Sequence, residues 1–286
     1  MKSVQSINSI TKAMQMISTF RFKRAENRFS KIRAYLLELE GILANLSRAA
    51  KDLKHPLFSA RGGPVFGGEK RAIRKKTLVV LTGDKGLCGA YNTNLLKTAL
   101  VWKRQNAASE TSFVPIGKVG AESLKKKGHV LSFYYADKAM VDFVLAKEIT
   151  GKIKELFLSK GADEISLLYT RFKAGGAGQT VVEPLLPLNH LLEVPKNSGA
   201  VVEYIYEPGF EAVFSEVLEK YLDGKIYLAA LESLTSETSA RMMAMKQASD
   251  NGEEVLHDLK LLKNKTRQAV ITRELSEIVG GASILV

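Results

Sequence analysis

The stretch FKRAENRFSKIRAYLLELEGILANLSRAAKDL, Phe22 to Leu53, decides the fold. Its apolar residues Phe22, Ala25, Phe29, Ile32, Leu36, Leu39, Leu43, Leu46, Ala50 and Leu53 recur at alternating spacings of three and four. At about 3.6 residues per turn these positions line one narrow stripe of a helix, the seam of a coiled coil. Ahead of it Ile7, Ile10, Met14 and Ile17 make a shorter stripe, offset by about a residue from the main seam. A helix of about 50 residues extends roughly 75 Å, longer than a compact domain is wide, so it requires an equally long partner.

The other end of the chain supplies one. All seven prolines lie between Pro56 and Pro208. Proline removes a helix donor and clashes with the preceding turn, so residues 1–55 and 209–286 are free to form long helices. From about Phe210 the sequence is rich in Glu, Leu, Lys, Met and Ala, and Val255, Leu259, Leu262, Thr266 and Ala269 repeat at four and three. Ile271, Leu275, Ile278 and Ala282 continue on a shifted face. A helix of about 75 residues reaches roughly 110 Å and outruns the first. Gly224 and Gly252 are its expected weak points, each costing about 1 kcal/mol against alanine.

Between the helices, residues 70–207 read as an α/β unit. Strands are expected at Thr77–Thr82, Ser112–Gly117, His129–Tyr134, Glu164–Phe172 and Thr180–Leu186, with helices around Thr93–Asn106, Lys118–Lys127 and Lys138–Lys160. Their alternation predicts a mostly parallel sheet covered on both faces. The glycine-rich KAGGAGQ, Lys173 to Gln179, predicts a hairpin and so an antiparallel edge.

The first of these strands empties into a glycine-rich turn, LTGDKGLCGAY, Leu81 to Tyr91. Such a turn at a helix N-terminus can cradle phosphate. Here Gly83, Gly86 and Gly89 give GxxGxxG, where a dinucleotide site needs GxGxxG. The Walker pattern fails as well, because Gly89 is followed by Ala90 and Tyr91 instead of Lys-Ser/Thr, and Asp84 would repel a phosphate. The turn is read as a tight strand-to-helix connection. No cofactor is expected.

Composition narrows the class further. The sequence is 45% hydrophobic and 25% charged, ordinary for folded protein, and no apolar run reaches the roughly 18 residues of a membrane span. The single cysteine, Cys88, excludes an internal disulfide and is expected to be buried, while His55, His129, His190 and His257 stand at no metal-ligand spacing. No catalytic constellation of Ser/His/Asp or Cys/His emerges. A net charge of +12 predicts an acidic partner. Arg21, Lys23, Arg24, Arg28, Lys31 and Arg33 crowd together against the single acid Glu26, which marks a docking surface.

Ordered motifs then suggest a family. ITKAMQM (Ile10–Met16), LTGDKGLCGAYNTN (Leu81–Asn94), YEP (Tyr206–Pro208), SARMMAMKQASDN (Ser239–Asn251) and NKTRQAVITRELSEIVGGA (Asn264–Ala282) follow one another as they do in the gamma subunit of F-type ATP synthase, which this sequence resembles. The resemblance implies an antiparallel coiled coil of the terminal helices with an inserted Rossmann-like domain of about five strands. It implies a non-catalytic rotating shaft, whose C-terminal helix reaches alone into the ring of alpha and beta subunits. The α/β body would sit on the membrane c-ring beside epsilon, peripheral to the cytoplasmic face of the cell inner membrane. By motif match Arg267, Gln268 and Thr272, with Met14 and Arg241, are the residues expected to meet the ring, and the basic run from Arg21 to Arg33 would face acidic segments of beta or the c-ring.

Members of the family usually carry a basic helical lead of roughly nine more residues ahead of Ser3–Gln5, so by this resemblance either the start codon is assigned late or the N-terminal helix of the shaft is short. The redox-regulated plastid members carry a cysteine pair that the single Cys88 excludes. Two other readings stand beside this one: a basic coiled-coil nucleic-acid-binding protein, which predicts salt-sensitive affinity for DNA, and a small α/β enzyme built on the glycine turn.

Overall fold

The computed structural model describes residues 1–49, 55–58, 75–135, 142–173, 178–191 and 206–284. Helix α1 (Lys2–Ala49) is followed by β1 (Lys75–Leu81), α2 (Tyr91–Gln105), β2 (Glu110–Ile116), α3 (Lys118–Lys126), α4 (Phe143–Leu158), β3 (Glu164–Arg171), β4 (Gln179–Leu186) and α5 (Phe210–Ile284). The strands form one sheet in the order β2-β1-β3-β4. Strand β1 runs parallel to both neighbours and β4 runs antiparallel to β3, as the glycine-rich hairpin predicts. Residues 174–177 of that hairpin lie outside the described residues.

The sheet has four strands among the described residues, where the sequence suggests five. The segment expected as a strand at His129–Tyr134 runs along the outer edge of β2 but makes only two isolated parallel bridges, Phe113 to Leu131 and Ile116 to Tyr135. Its bonds explain the break. Phe113 N–H donates to Val130 O, Ser132 N–H to Phe113 O, Tyr135 N–H to Pro115 O and Gly117 N–H to Tyr135 O. Pro115 has no N–H to give at the middle of this ladder, and proline interrupts strand pairing for that reason.

Side chains alternate across the sheet, as a period of two requires. Leu78 and Val80 pack with Tyr91, Leu95, Ala99 and Trp102 of α2 and Leu124 of α3. Val79 and Leu81 face the opposite way, into a larger core with α4, α1 and α5. Both faces are therefore covered, and β1 is buried from Thr77 to Leu81.

The chain divides into two compact units, Arg21–Ala240 and Met1–Phe20 with Arg241–Val286. In the first, α1 buries Ala25, Phe29, Leu36, Leu39, Leu43 and Leu46 and half-buries Phe22 and Ile32, the seam expected from the spacing. Ala50 and Leu53 lie outside the described residues. The helices run in opposite directions here: Leu36 lies against Gly224, and Tyr221 donates to Glu40 at 3.4 Å. A Cβ on Gly224 would stand 2.7 Å from Leu36 Cδ2, so this glycine makes room for its partner helix. Helix α5 continues unbroken through both Gly224 and Gly252.

In the second unit the seam is polar. Asn8 and Ser18 are buried and Val4, Thr11 and Gln15 half-buried, opposite a stripe of Met242, Met245, Ser249, Gly252, Leu256 and Leu259 on α5. Ser249 Oγ donates to Asn8 Oδ1 at 2.7 Å, and Lys12 pairs with Glu253. The apolar stripe expected to be the seam is turned outward: Ile7, Ile10 and Ile17 are more than half exposed, and Met14 is half-buried. Val255, Leu262, Thr266 and Ala269 are likewise exposed, and Leu259 alone of that set is partly covered. Small and polar residues hold this contact, which is why hydropathy places it on the wrong face.

Candidate functional site

The glycine turn comes first, because it is the one place where the sequence invites a ligand. Gly83 N–H donates to Asn92 Oδ1 at 2.9 Å, and Asp84 Oδ1 accepts from Lys118 N–H, at the start of α3, at 2.9 Å. Gly120 N–H donates to Thr82 Oγ1 at 3.0 Å. An anion at a helix N-terminus is stabilised by free amides and the helix dipole. Here the chain's own carboxylate stands at that terminus. Gly117, at φ 115°, is required by the same packing, since a Cβ would lie 2.1 Å from Thr82 O. Cys88 is buried and accepts from Asn92 Nδ2 at 3.3 Å. These groups are bonded to one another and join strand to helix.

The surface of the long helices is the second candidate. At about 3.6 residues per turn, Arg21, Arg24, Arg28 and Lys31 share one stripe, spaced three, four and three. Lys23 and Arg33 fall off that stripe. Arg33 approaches the side of α5 that carries Glu232, whose carboxyl it helps hold in the charged form against burial. The run that is continuous in sequence thus becomes a stripe of four cations and two outliers.

Arg267, Gln268 and Thr272 are exposed on α5. Thr272 Oγ1 donates back to the backbone Gln268 O at 2.9 Å, and the side chains of Arg267 and Gln268 are exposed. Arg241 is half-buried and engaged within the chain, and Met14 is half-buried beside the polar seam. Around these positions the side chains from Lys260 to Ile278 are all exposed, including Val270, Ile271, Leu275 and Ile278. Along α1 as far as Phe20 the exposed apolar residues are Ile7, Ile10, Met16, Ile17 and Phe20, the last 71% exposed. The stripe expected from spacing, Ile7, Ile10, Met14 and Ile17, does not include Met16 and Phe20. The one-residue offset between the two stripes is the sequence signal that they do not share one face.

Exposed apolar residues in rows mark an interaction surface, because a soluble chain rarely leaves them uncovered. Comparison with known proteins gives the family. The family profile described as ATP synthase matches residues 1–285. The chain is 35% identical over 290 residues to the ATP synthase gamma chain of Heliobacterium modesticaldum, covering 99% of this chain and 96% of the relative. It is 38% identical over 288 residues to that of Polynucleobacter asymbioticus, again covering 99% and 96%. Among solved structures, a chain of the Tetrahymena thermophila mitochondrial ATP synthase central stalk and c-ring superposes with a TM-score of 0.62 at 23% identity, covering 84% of this chain and 99% of that one. A chain of the Euglena gracilis mitochondrial ATP synthase superposes at 0.58 and 15% identity, covering 96% and 95%.

Proposed function

We propose that this chain, which belongs to the ATP synthase gamma-chain family, works as the rotating central shaft of its complex, with α1 and α5 wound as an antiparallel coiled coil inside the ring of alpha and beta subunits. It is a non-catalytic subunit; catalysis belongs to beta. One observation carries the reading of the shaft. Helix α5 pairs with α1 as far as Leu259 and then continues to Ile284 with every described side chain exposed, six of them large and apolar. A helix that shows apolar residues on all sides suits a hole lined by other subunits.

The residues on that segment suit a contact that is made and broken. Arg267 and Gln268 offer donors to carbonyl or carboxylate groups, and Thr272 lies one turn further on the same side. We assign these three, with Met14 and Arg241, to contacts with the alpha/beta ring. The stripe of Arg21, Arg24, Arg28 and Lys31 would face acidic segments of beta or of the c-ring headpiece, with Lys23 and Arg33 in supporting positions. Epsilon and the c-ring are the partners expected at the α/β body, and the complex would hold the chain at the cytoplasmic face of the inner membrane. Among the described residues no helix is long and apolar enough to cross a membrane, so attachment runs through partners.

The working division is a helix from 1–55, an α/β domain from 70–207 and a helix from 209–286. We read the α/β domain as Rossmann-like: counting the bridged segment near Leu131 beside β2 would give an order that follows the doubly wound 3-2-1-4-5-6 as far as its fifth strand, here antiparallel.

Co-expression with alpha and beta subunits tests this. A complex with one copy of this chain and faster ATP hydrolysis than alpha plus beta alone is expected, and Arg267→Ala or Gln268→Ala should change its turnover while the chain stays folded. Failure to associate, or turnover indifferent to both substitutions, would count against the assignment.

A further inference from the structure

In doubly wound folds a ligand binds outside the carboxyl ends of the strands, where the strand order reverses. In this sheet that point lies between β1 and β3, since the chain leaves β1 toward β2 and later returns to its other side. The place is filled. Ser233 Oγ lies 2.6 Å from Tyr91 Oη and donates to Leu81 O at 3.4 Å, at the end of β1. Ser236 Oγ donates to Thr170 O at 3.1 Å, and Glu232 Oε1 accepts from Phe172 N–H at 2.9 Å, at the end of β3. Two glycines border this contact: a Cβ on Gly83 would meet the carboxyl end of the Glu237 side chain at 2.8 Å, and one on Gly178 would meet Thr170 Cγ2 at 2.6 Å and Arg171 O at 2.9 Å before Ser236 Oγ at 3.1 Å.

The character of this contact changes along α5. From Phe214 to Leu231 the buried side chains of the helix are apolar apart from Asp223, and from Glu232 to Thr238 they are hydroxyls and a carboxylate. Stability alone does not explain the second part. Buried polar groups add little net stability over apolar packing, and Thr170 Oγ1 is buried here without a partner. Apolar contact is non-directional and tolerates sliding, whereas hydrogen bonds have fixed angles and resist rotation.

We propose that Ser233, Ser236 and Tyr91 are positioning residues that form a torsional joint, fixing the α/β domain to α5 at the site where this architecture elsewhere holds a ligand. The inference rests on the shaft reading, because only a turning helix loads such a joint.

The test uses the assembled complex with alpha and beta, immobilised through beta, with a bead attached to the α/β domain through Lys126→Cys. Rotation of the bead on ATP in the otherwise unaltered complex is the check on the shaft reading, and a stationary bead would sink that reading. Angular fluctuation of the bead during a catalytic pause is the check on the joint. Ser233→Ala with Ser236→Ala should widen its variance roughly two-fold, since most of the directional bonds are removed. Should that pair fail to assemble, Tyr91→Phe removes a hydroxyl from the other side of the joint while keeping the ring, and should widen the variance to a lesser degree. A bead that turns with unchanged variance in the variant that assembles would overturn the joint and leave the shaft intact.

Discussion

Asn8 and Ser249 stand 241 positions apart in the chain and meet in a buried 2.7 Å hydrogen bond, hydroxyl to amide oxygen, at the centre of the polar seam. A polar pair in a helix seam costs stability and specifies register, since any slip leaves both groups unsatisfied. Ser249→Ala is therefore expected to destabilise the chain by about 1–2 kcal/mol, because the Asn8 amide is left buried and alone. Asn8→Leu combined with Ser249→Ala should be close to neutral. A double-mutant cycle in denaturant measures the coupling, and additive losses would remove the pair from its register role.

The two glycines of α5 should respond to substitution with opposite signs. A Cβ on Gly252 meets Asn8 no closer than 3.4 Å, ordinary contact, so Gly252→Ala should gain about 0.5–1 kcal/mol from helix propensity. Gly224→Leu instead overpacks the seam, where the Cβ alone would lie 2.7 Å from a buried Leu36 methyl, and should lose about 1–3 kcal/mol. Chemical unfolding of both variants decides it.

Leu39 and Ile10 look alike in the sequence and are opposite in the structure, at 6% and 56% exposed. Leu39→Asp buries an unpaired charge in the seam and should cost about 3 kcal/mol or more. Ile10→Asp should stay within about 0.5 kcal/mol in the isolated chain. Thermal melting separates the two, and equal losses would mean that α1 is packed on both faces.

Glu232 gives the pH prediction. Burial pushes its carboxyl above the ordinary value of 4.5, with Glu183 adding to the rise, against the Phe172 amide, Arg171 and Arg33. A raised folded-state value means that the folded chain binds this proton more tightly than the unfolded one. The associated stability is present below the unfolded value and is lost as pH rises through the folded one. Glu232→Gln, which keeps an acceptor for Phe172 N–H, should match the natural protein near pH 4.5 and melt increasingly above it toward neutrality. A melting difference that is flat across this window would show the group to be charged throughout.

The parts of the fold that announce themselves in the sequence are those held by apolar side chains. Phe22 to Leu46 form the seam their spacing predicts, and the strands at β1, β2, β3 and β4 sit where their hydrophobic runs sit. The polar seam was illegible because Asn8, Ser18, Ser249 and Gly252 carry no hydropathy signal, and the aliphatic residues beside them do. His129–Tyr134 read as a strand because nothing in its own residues reports the missing donor on Pro115 of its neighbour. The motif residues Arg267, Gln268 and Thr272 were found by family pattern; their exposure and the emptiness around them needed coordinates.

The last stretch of α5 has a consequence for how the chain is made and stored. Past Leu259 no neighbouring element supports the helix among the described residues, and most helical stability in proteins comes from packing of one face against a neighbour. Its backbone amides should therefore exchange with solvent deuterium quickly in the purified subunit and slowly once the ring has closed around it. The boundary between slow and fast exchange, near Leu259, would mark where folding ends as a property of one chain and begins as a property of the assembly.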